Sequence, residues 1–222
     1  MFLDYKVNRG LDTFKVLRKA TKTLPEPMSV VIAQEYNKDP YLLLISCLLS
    51  LRAKDVKTLP ITRKLFFVVR TPKQMLALSD AELKKIIYSI GFYNQKSRTL
   101  RSVSKELLER FDGKVPESRQ ELLSIKGIGP KTASLVLAMA FDVPAICVDV
   151  HVHRLANLLG WVHTKTPRKT EVALEMIFPK RYWVDVNHVL VKVGQNISSV
   201  VPRLPEQLQK KFLPLFPKRL KL

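Results

Sequence analysis

At 222 residues and 46% hydrophobic side chains, the chain is typical of a globular protein, with core enough for one large domain or two interlocked lobes. Thirty-eight Lys and Arg against 19 Asp and Glu leave a net charge of +19, which points to a polyanionic partner, with nucleic acid favoured over an anionic membrane surface. The longest apolar stretch, Tyr41 to Leu51, is interrupted by Ser46 and is too short for a bilayer span. Met1 to Thr23 lacks the apolar core of a secretion signal. Cys47 and Cys147 sit among apolar neighbours without metal-ligand spacing, and read as buried thiols of a reducing, intracellular compartment.

In chain order, Met1 to Pro27 is basic and weakly amphipathic, and predicts one helix ended by Pro25 and Pro27. Val30 to Tyr36 opens the next. Asp39-Pro40 is an N-cap followed by a first-turn proline, and Tyr41 to Leu51 is apolar on nearly every side, so that helix is central and buried. It runs into Ser50-Leu51-Arg52-Ala53-Lys54-Asp55. Leu65 to Arg70 is rich in β-branched and aromatic residues but has no partner strands nearby, so it predicts a helix end. Ser79 and Glu82 form a capping box ahead of Leu83, Ile86, Ile87 and Ile90, and Gly91 closes that helix. Phe92-Tyr93-Asn94-Gln95-Lys96 follows, then a helix from Lys96 to Phe111.

Ser118 and Glu121 read as a second capping box, for a short helix carrying Leu122, Leu123 and Ile125. In Lys126-Gly127-Ile128-Gly129-Pro130-Lys131-Thr132-Ala133, the two glycines make a tight turn open to close approach by another molecule. A new helix starts at Pro130 or Lys131, with Ala133, Val136, Leu137 and Ala140 at helical spacing. The pattern is helix, Gly-x-Gly hairpin, helix, with backbone N–H groups at the turn ready for an anion such as phosphate. Val148-Asp149-Val150-His151 follows and begins a further helix. His151 and His153 are two apart, on different faces, and read as structural rather than metal ligands. Thr166-Pro167 caps another helix, and Trp183 to Val193 forms one with Val186, Val189, Leu190 and Val193 on one face. The whole reads as all-α, with about ten helices and no strand.

The hairpin, the lysine at the start of its second helix and the aspartate beyond that helix's end resemble the endonuclease III family of helix-hairpin-helix DNA glycosylases. That family reads Leu-Pro-Gly-Val-Gly-Arg-Lys-Thr-Ala and then Val-Asp-Thr-His, and the resemblance runs from about Asp39 to Gln195. It implies two helical lobes with a DNA cleft between them, one spanning residues 31–142 and the other joining 1–30 to 143–222. It implies Lys131 as nucleophile and Asp149 as the essential carboxylate, facing each other at the cleft mouth. It also implies DNA contacts from Lys126, Gly127, Ile128, Gly129 and Thr132, and from Tyr93, Asn94 and Lys96 in the turn after Gly91. Phe92 stands where the family has an apolar wedge, and Arg52 where it has a glutamine that fills the gap left by a flipped nucleotide. Arg52 either fills that gap or contacts phosphate.

The implied activity is excision of oxidised pyrimidines from double-stranded DNA, with strand cutting by β-elimination, since relatives lacking the lysine only release bases. The reactive form is the neutral amine, which attacks the anomeric carbon and forms a Schiff base. Asp149 supports the positive charge developing on the sugar. A monomer acting on damaged or abasic duplex is expected. The family's four cluster cysteines are missing: the chain reads Gly194 to Pro202 without cysteine, so no iron–sulfur cluster, metal or other cofactor is expected. The tail from Ser198 to Leu222, with Leu204, Leu208, Phe212, Leu215 and Phe216, is expected to pack in its place. Two alternatives stand beside this reading: a mismatch, other-lesion or abasic-site enzyme of the same superfamily, and a non-enzymatic DNA-binding module.

Overall fold

Caps and prolines in the sequence set most of the helix boundaries. A computed structural model describes the backbone of residues 2–196 and the side chains of residues 10–196. The expected packing of the tail from Ser198 lies outside the described residues. Twelve α-helices and one short 3-10 helix, and no strand, occur among them. The chain forms two compact units, one of Met28–Val143 and the other of Met1–Pro27 with Pro144–Leu222. No helix among the described residues is long and apolar enough to cross a membrane.

The first unit holds α2 (Met28–Glu35), α3 (Pro40–Ser50), α4 (Asp55–Val68), α5 (Pro72–Ala77), α6 (Asp80–Ile87), α7 (Tyr93–Phe111), α8 (Arg119–Ser124) and α9 (Pro130–Ala140). Every side chain from Tyr41 to Leu49 is buried, so α3 is central as expected, and α2, α4, α7 and α9 pack on it. Asp39 caps α3 by accepting from the Leu42 N–H at 2.9 Å. The Tyr41 and Ser104 hydroxyls share a hydrogen bond of 2.8 Å, which satisfies both groups where α3 meets α7. The Ser79–Glu82 capping box is complete. At Ser118 only half of one forms: its Oγ accepts from the Glu121 N–H, while the carboxylate takes the Ser118 hydroxyl at 2.6 Å.

Leu65 to Val68 finishes α4, as expected from the lack of strand partners. Three boundaries differ from the sequence reading. The first helix ends at Ala20, well before Pro25. The helix expected from Lys96 starts at Tyr93. Thr71 caps the short α5, which the hydrophobic pattern does not reveal.

The second unit holds α1 (Phe2–Ala20), α10 (Val150–Leu158), α11 (Pro167–Ile177) and α12 (Trp183–Asn196), with the 3-10 turn Lys180–Tyr182 before α12. Its core gathers Phe14, Trp161 and Phe178 edge to face, with centroids 5.0–5.5 Å apart. Val186, Val189, Leu190 and Val193 are buried along one face of α12, as their spacing requires. At Gly194 a methyl group would meet the His151 ring at 2.3 Å, so α10 and α12 approach too closely there for any side chain. His153 is bound to Thr170 Oγ1 at 2.6 Å, a structural role.

Lys192 of α12 is buried, and its Nζ donates to Glu26 Oε1 at 2.6 Å, while His188 contacts the other oxygen. Burial raises the Glu26 pKa, but the bonds and charges of Lys192 and His188 outweigh it and hold the carboxyl below its ordinary value. A depressed carboxyl contributes stability that is complete above its unfolded pKa and is lost as pH falls through the folded one. Glu26→Gln leaves the buried ammonium without its countercharge and is expected to cost about 2–4 kcal/mol at neutral pH. It should also flatten the acid limb of a plot of melting temperature against pH. Glu26→Leu combined with Lys192→Met should recover most of the loss, and denaturant melts of the three variants check this.

Candidate active site

The hairpin joins α8 to α9 within the first unit. Gly127 has φ +102°, and a methyl there would stand 2.9 Å from Thr99 Cγ2, so both backbone and packing require glycine. Gly129 differs. It is the N-cap of α9 with an ordinary φ of −95°, and nothing lies within 4 Å of where its Cβ would be. Only the first glycine is therefore a conformational necessity. The second leaves open space at a helix N-terminus.

Side chains missed in the sequence brace this turn. Glu106 of α7 accepts from the Lys126 N–H at 3.2 Å, and Arg110 donates to Ser124 Oγ at 2.7 Å. Arg119 at the start of α8 donates to Ser134 of α9, which clamps the two helices together. The Ile128 N–H is taken by the Ile125 carbonyl at 3.1 Å. Two N–H groups expected to meet an anion, those of Lys126 and Ile128, are thus engaged within the protein. The Lys126 side chain is exposed, whereas Ile128 and Thr132 are buried. No pattern in the sequence ties Glu106 to Lys126, which lie 20 residues apart.

Lys131 lies in the first turn of α9, partly exposed, and close enough to Cys47 of α3 for their charges to interact. Burial is the main influence on Cys47 and pushes its thiol up to about 11. Asp149, in the second unit, is the N-cap of α10: its Oδ1 accepts from the N–H groups of His151 and Val152, both at 2.9 Å. These two bonds fix the carboxylate's orientation. Four thiolates are needed for an iron–sulfur cluster, and Cys47 and Cys147 are both buried and belong to different units, so the residues present do not fit one.

Arg52 and Phe92 come from separate loops of the first unit, and both are exposed. The Arg52 guanidinium carbon lies 5.8 Å from the Phe92 ring centroid. Phe92 is 58% exposed, so it is no core staple. Asn94 is exposed, and Tyr93 is partly buried with its ring 5.2 Å from that of Tyr88. Lys96 departs from the expected surface contact: it is 7% exposed, and its Nζ is buried with no hydrogen-bond partner. Desolvation pushes its pKa down to about 8.

Residues 45–180 match the family model described as HhH-GPD superfamily base excision DNA repair protein. The chain is 42% identical over 161 residues to endonuclease III of Thermotoga maritima, covering 72% of this chain and 76% of that one. It is 43% identical over 137 residues to the chloroplastic endonuclease III homolog 2 of Arabidopsis thaliana, covering 58% of this chain but 36% of that longer protein. Among solved structures it is similar to a trapped endonuclease III–DNA covalent intermediate, the estranged-adenine complex. That likeness has a TM-score of 0.67 and 33% identity, over 74% of this chain and 82% of the other.

The two glycines separate fold from contact. Gly127→Ala is expected to destabilise by at least ~2 kcal/mol, through strain and collision with Thr99. Gly129→Ala should stay within about 0.5 kcal/mol of wild type while weakening DNA binding, because its methyl occupies the open space. Thermal melts and fluorescence-anisotropy titrations distinguish the outcomes. For Lys96 the sign is the reverse of an ion pair. Its depressed pKa means that folding opposes protonation below about pH 8, and the penalty fades as pH rises from there toward the ordinary value of 10.5. Lys96→Met is expected to stabilise by about 2–3 kcal/mol at neutral pH, with the gain shrinking above pH 9 or so, as read from denaturant melts.

Proposed function

Because the chain belongs to the HhH-GPD superfamily of base excision DNA repair proteins and is a DNA glycosylase of the endonuclease III kind, we propose that it both releases oxidised pyrimidines from duplex DNA and cuts the strand left behind. The observation that carries the lyase half is Lys131, held in the first turn of α9 directly after the braced hairpin. Its substrate is a double strand carrying a damaged base or an abasic site, and it works as a monomer without metal or cofactor.

The target base is stacked inside the duplex and must be flipped out, at a cost of a few kcal/mol that is smaller for a damaged, poorly stacked base. Phosphate contacts at the hairpin and the net positive charge offset that cost, with a steep dependence on salt. The neutral Lys131 amine then attacks the anomeric carbon. The glycosidic C–N bond breaks, and the base leaves with its electron pair and takes up a proton. Loss of the amine proton and opening of the sugar ring give a protonated Schiff base. That cation acidifies the neighbouring C2′ proton. Its removal drives out the 3′ phosphate and breaks the strand. Asp149 supplies negative charge to the cationic sugar, and its two backbone bonds hold the carboxylate ready without reorganisation.

The geometry of Asp149 allows its catalytic and structural roles to be separated. Asparagine caps helices as well as aspartate, so Asp149→Asn is expected to melt like wild type while excision falls by about 10²-fold or more. Asp149→Ala should lose activity and also about 1 kcal/mol of stability. On a duplex containing thymine glycol, borohydride should trap wild type covalently and leave Lys131→Gln free. The band should survive chelator treatment. If wild type gives no band there or at an abasic site, the lyase assignment fails.

A further inference from the structure

Two residues of the first unit break the rules of their local structure, and they touch each other. The Ala53 N–H bonds to the Ser50 carbonyl at 3.0 Å. Leu51 has φ −56° and ψ 123°, and Arg52 has φ +54°. This is a type II turn with arginine at the position that calls for glycine or asparagine. Phe92 has φ +61° and ψ 29°, occupies the N-cap of α7 and makes no side-chain cap bond. A bulky aromatic is a poor choice on all three counts: left-handed backbone, N-cap and exposed surface. Strain at either site persists only because the surrounding structure imposes it, and such strain gathers at functional positions.

Packing does not explain the pair, since both side chains are exposed; their mutual contact, 5.8 Å from guanidinium to ring centroid, is a cation–π interaction. What the pair presents outwards is a flat apolar ring with a fixed fork of N–H donors beside it. The ring suits a gap in a base stack. The fork suits a base edge, and arginine has donors and no acceptor.

We propose that Arg52, held against Phe92, reads the unpaired base opposite the lesion and favours cytosine. Resting on the glycosylase reading above, this makes Arg52 a specificity-determining residue. The reason is the pairing edge. Cytosine offers two adjacent acceptors there, N3 and O2, which a guanidinium can take together. Guanine has O6 beside an N1–H donor. Adenine has N1 beside an amino donor. Thymine has two carbonyls separated by an N–H. Only cytosine matches a donor-only fork without leaving a donor opposed to a donor. A glutamine, with one donor and one acceptor, has no such bias. The substrate class that follows is damage standing opposite cytosine, which includes ring-opened guanine alongside pyrimidine lesions in mispairs.

The test is binding to four duplexes at one salt concentration, each with a tetrahydrofuran abasic analogue opposite C, T, A or G. Wild type should bind the cytosine duplex about tenfold more tightly than the other three, the size of one good bidentate contact. Arg52→Gln and Arg52→Lys should bind all four within about threefold of one another. Arg52→Gly, which suits the turn, should melt at or above the wild-type temperature and still lose the preference, so lost folding cannot account for the change. Equal wild-type affinity for all four, or a cytosine preference that survives in Arg52→Gln, overturns the proposal. The analogue cannot be cleaved, so the preference is measured independently of the chemistry. Absent borohydride trapping with an intact cytosine preference would sink the lyase reading alone, and trapping with a flat profile would sink this one alone.

Discussion

The first unit depends on the complete burial of α3. A helix that is apolar on every side must be covered on every side, and α2, α4, α7 and α9 supply the cover. Its polar ends are settled locally, by Asp39 at the start and by the Ser50–Ala53 turn at the finish. This single requirement positions the functional side chains. Arg52 leaves from the C-terminal turn of α3. Lys131 stands on α9, close enough to α3 for its charge to act on Cys47. Phe92 begins α7, which is pinned to α3 by the Tyr41–Ser104 bond. Three elements carrying chemistry share one hydrophobic reference, so small shifts of the core would move all of them together.

The hairpin shows how rigidity and ligand access divide between neighbouring residues. Glu106, Arg110, Arg119 and Ser134 brace the turn from α7, α8 and α9. The bracing takes up two backbone donors, at Lys126 and Ile128. What is left for phosphate is the open side: the approach past Gly129, the exposed Lys126 side chain and the orphan N–H groups that any helix start leaves. The anion site is therefore narrower than a Gly-x-Gly pattern suggests, and better held. Net charge draws DNA to the surface. The braced turn gives the backbone a fixed place to rest.

The parts of the fold carried by local chemistry were legible in the sequence. Asp39-Pro40, Ser79 with Glu82 and Thr166-Pro167 mark helix starts because a cap is a contact between near neighbours. The burial of α3 follows from an apolar run without a polar face. The catalytic pair was legible through the resemblance of its flanking motifs, and Asp149 as an N-cap is a local fact that sequence can suggest. What sequence could not show depends on distant partners. Glu106 reaches the Lys126 N–H from 20 residues away, and Arg52 meets Phe92 from another loop. Lys96 was read as a surface cation because lysines usually are, yet packing around α7 encloses it. Exposed Phe92 was legible by position alone, since composition would place a phenylalanine in the core.

Arg52, Phe92 and Lys96 belong together in one respect. Each is a choice that stability alone would not make: a glycine position filled by arginine, an N-cap filled by phenylalanine in left-handed backbone, and an ammonium buried without a partner. Phe92 and Lys96 are joined directly, since the Lys96 N–H donates to the Phe92 carbonyl at 3.0 Å. The second unit also buries a lysine, Lys192, but gives it Glu26. One buried cation is compensated and the other is not, and the uncompensated one sits on the turn that presents Phe92. Sequences agree with their folds at most positions and depart from them where function sets the residue. Here the departures converge on one exposed edge of the first unit, made of the α3–α4 turn and the start of α7, where DNA must be distorted rather than merely held. An enzyme that flips nucleotides needs one rigid place to grip phosphate and one hard projection to fill the gap. The braced hairpin is the first, and the strained Arg52–Phe92 edge is the second.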